Sequence, residues 1–95
     1  MTTVSIERAN RFKHDFKREF KTHGAGLDMM LFEALAFLTS GTPLPTKYQD
    51  HKLTGEWEGY RECHLKPDLL LVYGWPDDET LRLARLGSHS ELFGL

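Results

Sequence analysis

Hydrophobic positions change their period about halfway along the chain, which divides it into a helical half and a strand half. From about Arg8 to Thr22, Phe12, Phe16 and Phe20 recur every four residues among Arg and Lys, placing one aromatic stripe on an otherwise charged helix. Gly24 stands where that helix would stop. A second helix is expected from about Leu27 to Thr39, with Leu27, Met30, Leu31, Ala34, Leu35 and Leu38 as its apolar positions and Gly41 just beyond its end. Its other face carries Met29, Phe32, Ala36 and Phe37. Such a helix must be buried over a wide arc, against the sheet and the first helix, or be partly covered by a partner. Thr2 to Ile6 is short and β-branched and reads as a strand entering the first helix.

Gly41-Thr42-Pro43-Leu44-Pro45 breaks the helix and opens a connection through Lys47 to Leu53, since proline removes a backbone donor and pushes its predecessor towards extended geometry. Glu56 to His64, Asp68 to Trp75 and Thr80 to Leu86 then read as three strands, separated by turns at Lys66-Pro67 and Pro76-Asp77-Asp78. Links this short imply antiparallel hairpins. Leu69-Leu70-Leu71-Val72-Tyr73 is apolar on both faces and should lie centrally, while Glu58, Glu62 and Arg82 mark more exposed neighbours. Trp57, Tyr60, Tyr73 and Trp75 are expected to pack, and Ser88 to cap a last helical turn running through Phe93. The expected fold is α+β: two N-terminal helices on a small antiparallel-rich sheet of about four strands, in a single domain over residues 1–95.

Composition agrees with one core rather than two, at 95 residues and 40% hydrophobic content. Cys63 is the only cysteine, so an internal disulfide and paired-cysteine metal motifs are both excluded. The first dozen residues lack an apolar signal region and the longest apolar run is far too short to span a bilayer, so a cytosolic protein without membrane contact is expected. The formal charge of −2 argues mildly against a free-standing nucleic-acid binder, although residues 1 to 23 carry a local +3. That basic stripe is by default a solvated face; its sharper reading is a contact with ribosomal RNA.

The candidate chemistry lies in the strand half, where His51, His64, Asp68, Arg85 and His89 fall at strand ends and turns. Such side chains fill cores poorly but carry protons and bind phosphate well. His64 ends one strand and Asp68 begins its antiparallel partner, so the turn around Pro67 should leave them neighbours. Arg85 lies near the end of the last strand and His89 follows it; if the sheet order permits, both approach His64. Blander roles compete. A lone histidine commonly satisfies a backbone carbonyl, Asp68 after Pro67 is a favoured turn residue, Arg85 can pair with a carboxylate such as Glu62, and Phe93 can pin the C-terminus to the core. His14 and His23 look solvent-facing and receive no function.

The residue types suit metal-free RNA cleavage, which requires a base for the ribose 2′-hydroxyl, an acid for the departing 5′-oxygen and a cation for the phosphorane. The run from Leu44 to Gly55, the run from Trp57 to Asp68 containing Trp57-Glu58-Gly59-Tyr60-Arg61-Glu62-Cys63-His64, and the ending Arg85-Leu86-Gly87-Ser88-His89-Ser90-Glu91-Leu92-Phe93-Gly94 resemble the YafQ branch of RelE-type toxins. The resemblance implies a RelE-like fold and a toxin of a type II toxin–antitoxin pair. It implies a ribosome-dependent messenger-RNA endonuclease held inactive by an antitoxin, through which the pair can bind operator DNA. Position by position, His51, His64, Asp68, Arg85, His89 and Phe93 inherit the site assignment, with Phe93 stacking on or positioning a base. Leu69 stands where the family pattern has Trp.

On this reading His89 is the general acid, His64 or Asp68 the base, His51 an aid to proton transfer or phosphate binding, and Arg85 the phosphorane's partner, with no cofactor or metal. Two other classes compete. One is a binding module that keeps the fold and engages its antitoxin with little catalysis. The other is a metal-dependent hydrolase, disfavoured because His51, His64 and His89 lack the i, i+4 pair or Cys partners of zinc motifs.

Overall fold

The structure, a computed structural model, describes residues 3–94. In chain order it contains β1 (Ser5–Arg8), α1 (Asn10–His23), α2 (Ala25–Ser40), β2 (His51–Lys52), β3 (Arg61–Lys66), β4 (Leu69–Asp77), β5 (Thr80–Gly87) and α3 (His89–Phe93), with short 3-10 turns at Thr46–Tyr48 and Gly55–Trp57. Thr2, the start of the expected first strand, lies outside the described residues. No helix among them is long and apolar enough to cross a membrane.

One residue joins the two long helices. Gly24 has φ 61° and ψ −146°, a conformation closed to side-chain-bearing residues, and its N–H donates to the Phe20 carbonyl as α1 ends. α2 stops at Gly41, whose left-handed backbone lets its N–H reach the Phe37 carbonyl. Both helices lie on one face of a five-stranded sheet of order β1-β5-β4-β3-β2, in which only the β1–β5 pairing is parallel. The fold is the expected α+β arrangement. The fifth strand is β2, two residues that the sequence leaves in the connection and that the edge of β3 recruits through the pairs His51↔Glu62 and Lys52↔Arg61. The expected strand start at Glu56 is instead a 3-10 turn, because Gly55 and Gly59 adopt positive φ around it.

β4 is apolar on both faces because both are covered. Leu69, Leu71 and Tyr73 join Phe12, Leu27, Leu31 and Ala34 of the helices in the main core. Leu70 and Val72 face the other way, onto Ala84 and Leu92, with Leu53, Trp57, Tyr60 and Phe93 against them. Leu69 is therefore a core residue, directed towards the helices. Trp75, expected to pack, is exposed.

A β-bulge in β5 decides where Arg85 goes. Val72 pairs with Arg85 but Tyr73 pairs with Leu83, so Ala84 is an extra residue. Strict alternation from Leu81 and Leu83 would send Arg85 into the helix-facing core; the bulge gives that place to Leu86. Arg85 is only 7% exposed, and its guanidinium meets Asp15 of α1 at 2.7 Å through Nε and 3.3 Å through Nη2. Its partner is thus Asp15 rather than Glu62. Asp15 also accepts the Leu86 N–H at 3.0 Å, and Arg18 donates to the Leu86 carbonyl at 2.8 Å. β1 covers the outer edge of β5 only as far as Leu83, so α1 side chains supply hydrogen bonds to the edge beyond it. Asp15, on the charged face expected to be solvated, is consequently buried; Glu19 is buried too, against Arg18 at 2.8 Å and beside a half-buried His23.

Burial alone would raise the Asp15 carboxyl, but the Arg85 hydrogen bond, the Leu86 N–H and the charges of Arg85 and Arg18 bring it below its ordinary value of 3.8. Its stabilisation is complete above that value and is lost as pH falls through the lower folded one. Asp15→Ala should destabilise the fold by about 3–5 kcal/mol, since it strands a buried guanidinium, and should remove this acid-dependent component. Urea unfolding between pH 3 and 7 measures both effects; a loss under about 1 kcal/mol at neutral pH would contradict this role.

Candidate active site

Three chain segments meet at the end of the sheet where β3 turns into β4. The outermost supplies His51. Gln49 ends the preceding 3-10 turn in a left-handed conformation, φ 48°, and its carbonyl accepts from His51 Nδ1 at 2.8 Å. Asp50 between them is fixed by the Tyr73 hydroxyl at 2.6 Å and by Arg61 at 3.1 Å. A carbonyl can only accept, so Nδ1 carries hydrogen and Nε2 is the free nitrogen of a neutral His51 ring.

β3 supplies Glu62 and His64, two residues apart and so on one face. Their cross-strand partners are Val72 and Leu70, which places both on the sheet face away from the long helices. Glu62, expected to be exposed, is 4% exposed. Its carboxylate lies 3.2 Å from His64 Nε2 and 3.8 Å from His51 Nε2. The sequence reading missed it; the available signal was Glu-x-His on a strand, read as one face.

The third segment is the β3–β4 turn with α3. Asp68 projects from the turn and accepts two bonds from His89, the backbone N–H at 2.9 Å and ring Nδ1 at 2.6 Å. The backbone bond first, then the ring bond and the histidine charges, hold the Asp68 carboxyl below its ordinary 3.8. This contact therefore persists throughout the neutral range and fails only as pH falls below that value. Ser88 caps α3 as expected, in a reciprocal capping box with Glu91, and Glu91 also meets Arg18 of α1 at 2.8 Å. α3 is thus tied at its start both to the turn and to the helix layer.

The His64 and His89 rings are 5.6 Å apart edge to face, and those of His51 and His64 are 6.3 Å apart. His51, Glu62, His64, Asp68 and His89 form one contiguous group. Arg85 shares the row of Glu62 and Val72 across the sheet, but its guanidinium turns to Asp15. Its Nη1 makes no hydrogen bond among the described residues, whereas Nε and Nη2 are both taken by Asp15. Phe93 is half-buried against the Leu70–Val72–Ala84–Leu92 cluster.

Two carboxylate–imidazole pairs side by side can accept one proton and donate another. The same donors could also bind a metal: one ligand atom each from His51, Glu62 and His64 lie within 4.8 Å of one another, a three-ligand set suited to a divalent transition ion. The set arises from β2–β3 pairing, which the sequence spacing does not reveal.

Residues 4–94 match the family model described as the bacterial toxin of type II toxin–antitoxin system, YafQ. The mRNA interferase toxin YafQ of Escherichia coli K12 is 36% identical over 94 residues, covering 99% of this chain and all of that one. Among solved structures, the E. coli DinJ–YafQ toxin–antitoxin complex matches with a TM-score of 0.83 at 36% identity, covering 97% of this chain and 99% of the matched one. A metal-bound toxin from Helicobacter pylori matches with a TM-score of 0.83 at 49% identity, covering 98% and 100% respectively.

Because Asp68 accepts from His89 Nδ1, the neutral ring should carry its hydrogen there and expose Nε2. Long-range 1H–15N correlation of His89 should show the Nδ1–H tautomer in the parent protein and a tautomer mixture in Asp68→Asn. A predominant Nε2–H tautomer in the parent would refute the arrangement.

Proposed function

Because this chain belongs to the YafQ family of bacterial type II toxins, we propose that it is a ribosome-dependent messenger-RNA endonuclease that cleaves by 2′-hydroxyl transesterification without a metal. The observation that carries this reading is the adjacency of two imidazoles, His64 and His89, each backed by its own carboxylate. Such a pair supplies the base and the acid that RNA cleavage needs at neutral pH.

Glu62 and His64 take the proton of the ribose 2′-hydroxyl, whose oxygen attacks the adjacent phosphorus. The bond from phosphorus to the 5′-oxygen breaks, and His89 Nε2 protonates that oxygen as it leaves. The products are a 2′,3′-cyclic phosphate and a 5′-hydroxyl. Asp68, occupied by His89, acts as a positioning residue. His51, whose Nε2 lies 3.8 Å from the same carboxylate, aids proton transfer or phosphate binding. Arg85 meets the phosphorane through Nη1, held in place by Asp15. Phe93 lies close enough in sequence to His89 to position a base. Glu62, His51 and His64 would lose their proton-carrying role if they coordinated a metal, since a bound ion claims the same lone pairs.

An antitoxin is the natural partner, as in the E. coli relative solved with DinJ. In this chain α2 leaves Met29 and Phe32 74% and 77% exposed, which fits the partner coverage that its two apolar faces call for. Phe32 also borders a groove of about 890 Å³ between α1, α2 and β1 with Arg8, Lys13 and Lys17 around it, a surface complementary to an acidic amphipathic segment. The groove equally favours a second reading, a weak catalyst that chiefly engages its antitoxin.

Antitoxin-free protein should cut a ribosome-bound reporter message and leave cyclic phosphate ends. Strong chelation should leave the rate unchanged, and His89→Ala should lower it about 10²- to 10⁴-fold. Arg85→Ala should lose about 10²-fold or more while remaining folded, because the Leu86 N–H and Arg18 still satisfy Asp15. Absence of cutting from pH 5 to 9 favours the binding module, and loss of activity on chelation overturns the metal-free mechanism.

A further inference from the structure

Beside the proton-handling group lies a cavity of about 360 Å³ that none of the steps above uses. It opens along the outer edge of β3 beyond the point where the two residues of β2 stop pairing, so His64 stands on its rim. Met30, Leu65 and Pro67 supply apolar wall, and Gln49, Glu33 and Lys66 supply polar groups. The size is that of a small-ligand site, and mixed walls of this kind suit a flat, polar-edged ring.

Gln49 is the distinctive member. It is the only non-glycine residue with positive φ among those described. Gly, or more rarely Asn, commonly fills such a left-handed position after a helical turn, at lower conformational cost than Gln. A strained residue at a site edge points to a role for what its side chain adds, here an amide with two donors and one acceptor. The strained turn also directs its own carbonyl to His51 Nδ1, so cavity and proton carriers are joined by one residue. Glu33 is fixed by the Tyr48 hydroxyl at 2.6 Å and Lys47 at 3.0 Å, and its negative charge disfavours a phosphate inside the cavity. Lys66, which makes no ion pair among the described residues, offers a cation at the cavity wall.

We propose that this cavity is a nucleotide subsite, which takes the base of the RNA residue flanking the scissile phosphate, reads its edge through the Gln49 amide and holds its phosphate with Lys66. The inference rests on the RNA-cleavage reading and adds to it a specificity-determining residue. Single-stranded RNA leaves base edges free for such contacts, and the apolar wall receives the ring face.

Two measurements test it. In the first, adenosine, cytidine, guanosine and uridine 5′-monophosphates are titrated separately into the full chain, and backbone amide shifts are followed by NMR. At least one nucleotide should shift Gln49, Leu65 and Lys66, and Lys66→Ala should weaken that binding; no shift at the cavity with any of the four overturns the proposal, whether or not the protein cleaves RNA. In the second, the 5′ ends of fragments cut from a mixed-sequence message on ribosomes are compared between the parent and Gln49→Gly, which keeps the left-handed turn and its carbonyl. The variant should lose roughly 5- to 100-fold discrimination at one nucleotide flanking the cut. An unchanged cut-site profile overturns the role of Gln49, whereas a parent protein that cuts nothing overturns the nuclease reading itself.

Discussion

Where β1 ends, β5 runs on with an open edge and a cation beside it, and both are answered by one carboxylate on the first long helix. Asp15 accepts the Leu86 N–H, pairs with Arg85 and holds Arg18 against the carbonyl of the same Leu86. This fixes the tilt of α1 across the sheet and the position of a guanidinium that would otherwise be buried without a partner. Arg18 carries the tie onward to Glu91, whose capping box starts α3, and α3 begins with His89. The segment that bears the proposed acid is therefore anchored through charge pairs to a helix about 70 residues earlier in the chain. That is the kind of support that keeps a proton carrier in place on a short terminal helix.

The sheet adds a second level of order. Antiparallel pairing places Glu62, Val72 and Arg85 in one row and His64, Leu70 and Gly87 in the next. The middle residues, Val72 and Leu70, are apolar and fully buried, so Glu62 and His64 stand side by side at one end of their rows. A Cβ at Gly87 would stand 2.7 Å from Arg18 Nη2 and 3.2 Å from a Glu91 oxygen, so any larger residue there would have to displace the ends of those two side chains. Cys63, between the two polar residues of β3, faces the core, and burial pushes its thiol up to about 12, so it stays an inert packing group.

Much of this was legible in the chain. Both helices, the hairpins, the central β4 and the Ser88 cap follow from periodicity and turn chemistry, because each is set by residues close in sequence. The neighbourhood of His64, Asp68 and His89 follows from the turn at Pro67 and from the sheet order. What escaped was non-local. A bulge at Ala84 leaves no mark in the pattern, so the facing of Arg85 could not be counted out from Leu81. Glu62 reads as a solvent-facing strand residue until β2 and two histidines close over it. Asp15 and Glu19 look like the ordinary surface of a charged helix; only the short reach of β1 exposes the edge that recruits Asp15.

In the proposed mechanism these groups move protons for an attacking ribose hydroxyl and do not activate water. A message carrying a single 2′-deoxy nucleotide immediately 5′ to the scissile phosphate, with all else unchanged, tests that claim in a single-turnover cleavage assay on the ribosome. Transesterification requires that cutting at that bond stop while neighbouring sites are still cut. Continued cleavage at the deoxy position, with a simple phosphate end, would contradict the account and return the His51–Glu62–His64 group to water activation by a bound metal.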